Sequence, residues 1–413
     1  MTAAPGRERL VTPTFTALLT ACIWYFVSTG MMLVAVPVFV SEKLGGGEWG
    51  VGAAMGVSGL AAAVLRVVAG PITDTKGRRW VMIFGSSLAG VSMLGLVVAN
   101  SVGAVVAFRA LTGVGEAAFF VGAATALQDL APEGRRAEAT SYFSAVVYAS
   151  MALGPLLAEW LIERFSFEVT WLVGAVFCGI GALLAVRAPQ NRVEATGQRR
   201  FFARPIVHPA AVGPGSVLVI GLFGFACFMT FAALWATEVG IRHAGSVFLL
   251  FAGAVLILRL LLARLPDRLG ARTTTTIALV FSALGLAIMA TWKAPGGAYI
   301  GSAVMAVGQS FLFPALFASV IQSAPVAERG QAVASFSISF DVAFGTGGFI
   351  AGAVASHFGG ITSAFWFGAV ACSLALLLAR GTLPKTSAVA PPRGDAPLPP
   401  RAGPDEARHL RGS

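Results

Sequence analysis

Apolar stretches long enough to cross a bilayer recur along this chain from end to end. The hydrocarbon core is about 30 Å thick, so a helix needs about 20 predominantly apolar residues to span it. Twelve such stretches are present, at 14–40, 50–71, 79–99, 103–127, 139–161, 168–187, 215–238, 245–264, 273–292, 297–323, 331–353 and 361–380. The connections are mostly short, so backbone polar groups must be satisfied within helices, as lipid demands. Alternating segments of about ten residues, the mark of a membrane β-barrel, are absent from the sequence. The pattern predicts an all-α membrane protein with twelve transmembrane helices.

The polar positions divide this series in two. The longest internal polar stretch, 188–214, carries Arg192, Arg199, Arg200 and Arg204 and separates six spans from six. The expected organisation is an N-terminal segment at 1–13, a six-helix bundle at 14–187, a linker at 188–214, a second bundle at 215–380 and a tail at 381–413. The tail is rich in Pro, Ala and Arg and reads as disordered. The bundles also repeat each other. A shift of 193 residues carries Arg66, Asp74, Gly77 and Arg79 onto Arg259, Asp267, Gly270 and Arg272. The same shift carries Ala131, Pro132, Arg136, Ala139 and Phe143 onto Ala324, Pro325, Arg329, Ala332 and Phe336. Chance gives one such match; two separated clusters at one offset point to two pseudo-symmetric bundles. Parallel repeats of this kind place a binding site at their interface, near the midplane. The first spans of the halves do not keep the offset, so an insertion or deletion lies between them.

Composition agrees with the membrane reading and changes one thing. Of 413 residues, 56% are apolar and 12% charged, against about 25% charged in average soluble domains. The net charge of +10 suggests a polyanionic partner until its distribution is read. With both termini in the cytoplasm, the cytoplasmic segments hold 22 of the 29 Lys and Arg. External loops hold Lys43, Arg164, Arg242 and Lys293, and spans hold Arg66, Arg109 and Arg259. This is the positive-inside asymmetry; it orients the chain in the cell membrane and calls for no nucleic acid. Cys22, Cys178, Cys227 and Cys372 sit singly inside spans, so neither a disulfide framework nor a metal site is expected. The four histidines fall in loops or tails and read as surface residues. No P-loop is present and no nucleophile–base pattern stands out, so an enzyme is disfavoured and no cofactor is expected.

The loop after the second span reads Gly70-Pro-Ile-Thr-Asp74-Thr-Lys-Gly77-Arg78-Arg79. Gly77 permits a tight turn, Asp74 can accept hydrogen bonds, and the arginines hold the loop on the cytoplasmic side. Here the chain resembles the major facilitator superfamily, whose signature loop is G-x-x-x-D-x-x-G-R-[RK]. The partial copy at Asp267, Gly270 and Arg272 lies where that family places its second one. Arg109-Ala-Leu-Thr-Gly113-Val-Gly115-Glu116 is similar to the family's R-x-x-x-G-x-G pattern, linked there to proton coupling in exporters. Gly154-Pro155 matches part of a longer exporter motif, with Ala158 and Glu159 standing where it has glycines. The resemblance covers nearly all of 14–380. It implies the major facilitator fold, alternating access, and a signature loop that locks or releases the halves. Within the family the chain looks most like bacterial drug and sugar efflux members, so export of a small organic molecule against protons is expected from a monomer in the bilayer. Proton-coupled import of a sugar, organic acid or other nutrient is the alternative. A non-transporting receptor or scaffold is a remote one.

A charge at mid-bilayer costs at least a few kcal/mol, so charged side chains inside spans are candidates for function. Glu116 lies near the centre of span four, two turns after Arg109, and reads either as a reversible proton carrier or as half of a static pair. Asp341, in the middle of span eleven, reads as a second protonation site or as an anchor between the halves paired with an arginine. Arg66 and Arg259 read as interface or gate residues. The repeat carries Glu116 onto Gln309, which predicts two polar side chains facing each other across a cavity. The resemblance implies that spans one, four, seven and ten line that cavity. Tyr25, Trp235, Gln309, Phe313 and Phe317 are then the candidates for its wall, with simple helix packing as the alternative for each aromatic.

Overall fold

The computed structural model describes residues 10–190, 208–262, 265–325 and 328–383, with the backbone alone at 67–75, 133, 137, 266, 267, 330 and 334. The tail from 384 and most of the expected linker lie outside the described residues.

The described chain is built of helices. In the first half they are α1 (Pro13–Val38), α2 (Gly47–Lys76), α3 (Arg78–Val97), α4 (Val102–Leu130), α5 (Arg136–Arg164) and α6 (Phe167–Ala185). In the second they are α7 (Pro209–Glu238), α8 (Gly245–Leu261), α9 (Ala271–Thr291), α10 (Pro295–Ser323), α11 (Arg329–Phe358) and α12 (Ile361–Thr382). Eleven are long and apolar enough to cross a membrane, and α8 is a shorter apolar helix of 17 residues. Ends are set by local chemistry. The side chains of Thr12, Ser101 and Ser166 accept the backbone N–H groups of Phe15, Ala104 and Val169, capping α1, α4 and α6.

Several boundaries differ from the sequence pattern by a few residues, two of them for evident local reasons. α7 starts at Pro209, six residues before the expected span, because His208 caps it and Pro209 fits the first helical position. α8 stops at Leu261, and a separate short helix, Leu265–Leu269, follows with Pro266 in its first turn.

The repeat seen in the sequence is a repeat in space. In the first half α1 packs on α5 and α6, α2 on α4, and α3 on α4 and α6. In the second α7 packs on α11 and α12, α8 on α10, and α9 on α10 and α12. The halves meet mainly through one equivalent pair of contacts, α2 on α11 and α5 on α8, with α1 also touching α7. Lipid supplies no hydrophobic drive between helices, so close backbone approach has to do that work. Along α2 and α11 it does. A side chain at Gly56 would come within 2.6 Å of the Gly345 carbonyl oxygen, and one at Gly348 within 2.7 Å of Gly56 Cα. This glycine contact lies in the half of α2 away from the chain termini. The two halves are therefore pressed together on the face opposite the termini.

Candidate functional site

The most consequential side chains gather where the halves meet. Arg66 on α2 donates through Nη2 to Asp341 Oδ1 of α11 at 3.0 Å, and its Nε faces the other oxygen of that carboxylate. Its guanidinium carbon lies 5.4 Å from the ring centre of Phe120 on α4. The repeat register carries Arg66 onto Arg259 and Tyr148 onto Asp341. Across the equivalent junction, the Arg259 guanidinium of α8 lies 4.6 Å from the ring centre of Tyr148 on α5. One junction is closed by an ion pair and its counterpart by a cation–π contact.

Glu116 stands one turn before Phe120, so both project from the same face of α4 toward this junction. Among the described residues no hydrogen bond or ion pair reaches its carboxyl. The charges of Arg109, Asp341 and Arg66 are within electrostatic reach of it. Arg109 does not close on Glu116. It is buried and held elsewhere: Nε donates to the Ala54 carbonyl at 3.2 Å and Nη2 to Ser58 Oγ at 2.8 Å, both on α2. Its Nη1 lies 2.7 Å from Met32 Sδ on α1. The glycines of the motif explain why these atoms come so near. Gly113 sits directly against the Ser58 backbone of α2, and a side chain at Gly115 would meet the Gly85 carbonyl of α3 at 2.6 Å. Small residues on two sides of α4 thus let it nest between α2 and α3. Arg109 is tied to α2, and Glu116 is left toward the other half.

The expected cavity wall divides. Tyr25 is fully buried, stacked on Phe119 at 3.9 Å, and among the described residues its hydroxyl has no hydrogen-bond partner. It lies within electrostatic reach of Glu116. Trp235 is fully buried edge-on against Phe365 of α12, inside its own half. Gln309 is buried and donates to Ser282 of α9 at 3.2 Å, so it is engaged within the second half rather than presented to Glu116. The register equates their positions along the helix, but Ser282 stands where the first half has Ala89, so only Gln309 finds a hydroxyl on the third helix of its half. Phe313 and Phe317 are half-buried, stacked on each other at 5.8 Å and tilted against Phe336 of α11.

The signature loop and its copy do equivalent mechanical work. Gly77 opens α3 and Gly270 opens α9, both at positive φ, 87° and 77°, where a Cβ would be strained. Arg78 is buried and its Nε donates to Asp129 at the end of α4 at 2.9 Å. Arg79 donates to the Ala188 carbonyl just past α6, and Arg272 to the Arg380 carbonyl in the last turn of α12. Each copy therefore ties the start of its half's third helix to the end of its sixth. Gly70 lies within α2, and the side chains of Asp74 and Asp267 lie outside the described residues.

Several participants escaped sequence reasoning. Phe120 had a signal, four residues after Glu116. Ser58 and Met32 had none, because only tertiary packing brings them to Arg109. Glu159 was legible only as a departure from a glycine motif. Its carboxylate accepts the backbone N–H groups of Ala244 and Gly245 at 2.7 and 3.1 Å, capping α8 across the junction on the face opposite the termini. His208, expected at the surface, is buried; it caps α7 and its Nε2 is 2.9 Å from Glu328.

With this geometry in place, comparison with known proteins is informative. The family model described as Major Facilitator Superfamily matches residues 17–242 and 216–411. An uncharacterized MFS-type transporter of Salmonella typhimurium is 30% identical over 346 residues, 81% of this chain and 87% of that protein. An uncharacterized MFS-type transporter of Burkholderia mallei is 27% identical over 345 residues, 81% and 83% of the two chains. Among solved structures, a mutant of the nucleoside transporter NupG superposes with a TM-score of 0.72 at 15% identity, over 89% of this chain and 98% of that one. A mutant of the peptide transporter POT in complex with alafosfalin gives 0.74 at 16% identity, over 89% and 93%. At such identities these structures share the fold.

Proposed function

The chain belongs to the major facilitator superfamily and is a multi-pass membrane transporter; from that premise we propose that it exports a small organic molecule in exchange for protons, by alternating access, with both termini in the cytoplasm. The observation that carries the coupling is Glu116. It is a carboxyl group in the middle of a span, held by no hydrogen bond or ion pair among the described residues and within reach of three charges at the junction of the halves. A carboxyl in that position is neutral when isolated from cations and ionised when a guanidinium approaches. Rocking of the halves carries Asp341 of α11 away from Arg66, which shares the first half with Glu116, and so leaves the Arg66 guanidinium to the Glu116 carboxyl, while Arg109 stays tied to α2 and α1. Glu116 then takes up a proton in one state and gives it up in the other.

Outward direction is supported by likeness: the Arg109–Gly113–Gly115 pattern and Gly154-Pro155 resemble motifs of the family's exporters, and Gly154 packs α5 against the backbone of α1 at Gly30. In this reading the face opposite the termini is external, and the closed arrangement there is the state that loads substrate from the cytoplasm.

The test starts from purified protein screened for ligands by thermal shift. A stabilising compound is then added to inside-out vesicles with an acidic interior. Dissipation of the proton gradient by the wild-type chain, and its loss in Glu116→Gln, is the expected result. A Glu116→Gln chain that couples as well as wild type would remove the proton-carrier role. Uptake of the same labelled compound into whole cells, with no resistance phenotype on deletion, would reverse the direction.

A further inference from the structure

The two junctions differ in one respect that bears on the substrate. Arg66 has a carboxylate partner, Asp341. Arg259, its repeat equivalent, has an aromatic ring in the corresponding place. The Nε of Arg259 is buried without an acceptor, and among the described residues its guanidinium has no hydrogen-bond or carboxylate partner. A guanidinium inside a span without a counter-charge costs several kcal/mol unless something supplies one. Within the spans stand three guanidiniums against two carboxyls, Glu116 and Asp341: Arg66 and Arg109 inside their helices, and Arg259 in the last turn of α8 with its guanidinium reaching back to Tyr148. Arg66 is neutralised by Asp341, and Arg109 is turned into α2 and α1. Among the described residues, the positive charge at the junction without a counter-charge is therefore Arg259.

We propose that Arg259, seated on Tyr148 between the halves, holds the anionic group of the transported molecule, so that the substrate is a small organic anion bearing a carboxylate, phosphate or sulfonate. This rests on the transporter reading above and adds to it the class of substrate. The chemistry suits the residue. Guanidinium is a planar fork that binds such groups through two parallel N–H donors, and stacking on a ring holds the plane while leaving its edges free. Tyr148 stands midway along α5, and the junction of parallel repeats is where a facilitator of this architecture places its ligand. Tyr148 also contributes a hydroxyl at the rim of the contact. The position equivalent to Tyr148 is an aspartate, which would compete with an anionic ligand; an aromatic residue there does not.

The experiment measures thermal unfolding of the purified full-length chain in detergent with benzoate, glucuronate and glucose 6-phosphate, beside benzamide and glucose as neutral counterparts. At least one anion is expected to raise the midpoint while its neutral counterpart does not. Loss of a charge-assisted pair should then raise the half-saturating concentration about 10- to 100-fold in Arg259→Gln. Arg259→Lys should retain part of the effect, and Tyr148→Phe most of it, which guards against reading a folding defect as lost binding. Neutral compounds binding as well as anions, no response to any anion, or undiminished anion binding in Arg259→Gln would each overturn the proposal. Phosphatidylglycerol added to the micelles is the competing source of the same group. Stabilisation by that lipid alone, lost in Arg259→Gln, would overturn the assignment to substrate. The outcomes are separable from those of the coupling test. Proton flux driven only by neutral compounds defeats the anion assignment and leaves the transporter reading standing. Anion binding without proton flux defeats the coupling and leaves the anion assignment.

Discussion

Arg66 and Asp341 come from opposite halves of the chain, 275 residues apart, and meet with little exposure, 18% and 8% of their side chains. Each carries a charge that the low-dielectric surroundings penalise unless the other is present, so removal of either alone should be far worse than removal of both. The expected result in thermal unfolding is that Arg66→Gln and Asp341→Asn each destabilise the chain. The double variant should recover about 1–3 kcal/mol relative to the sum of the singles. Additive losses would show that the pair contributes nothing as a pair. The sequence offered both residues as candidates and left open whether either had a partner. A carboxylate and a guanidinium on separate helices carry no mutual signal along the chain, because what joins them is a crossing of α2 over α11. The same holds for Arg109. Its spacing from Glu116 suggested two groups that act on each other, yet its three contacts go to α1 and α2.

At the scale of elements, closure of the face opposite the termini depends on two devices. One is the glycine contact between α2 and α11. The other is the Glu159 carboxylate, which accepts two N–H groups at the start of α8, where the helix dipole also favours a negative charge. Gly348→Leu would place a branched side chain against the backbone of Gly56, and Glu159→Ala would release α8 from α5. Both are expected to open this face. The check is labelling by a membrane-impermeant maleimide of a cysteine introduced as Met151→Cys, one turn from Tyr148, in a chain whose four native cysteines are replaced. Labelling from that side should rise several-fold in either variant, and more in Gly348→Leu, whose clash no rotamer can relieve. Unchanged labelling would mean that other contacts hold the face shut. The native cysteines are all buried and outside any disulfide; small apolar replacements change packing and remove two weak contacts, of Cys178 with Ser28 Oγ and of Cys372 with the Gly221 carbonyl. Helix boundaries were the most legible feature at this scale. Where they shifted, as at Pro209 and Leu261, capping and proline placement outweighed hydropathy.

For the whole molecule, the proposed orientation puts 22 of the 29 Lys and Arg on the cytoplasmic side. Green fluorescent protein fused after Ser413 should therefore fluoresce, and alkaline phosphatase at the same point should stay inactive. The reverse pair of results would invert the molecule, and with it the identity of the closed face and the direction of transport. The sequence by itself determined the solvent and the symmetry. Runs of about 20 apolar residues have few ways to satisfy their backbones in lipid, and a register of 193 residues dictates that two bundles be built alike. Membrane insertion and repetition are properties of the chain read linearly, so they survive without knowledge of contacts. Only the tertiary structure decided which charges have partners. Two positions equivalent in the repeat, Asp341 and Tyr148, receive the same kind of arginine. One neutralises it and the other only stacks on it. That difference appears when helices from opposite halves cross, because a charge is satisfied by what lies beside it in space, whatever its neighbours in sequence.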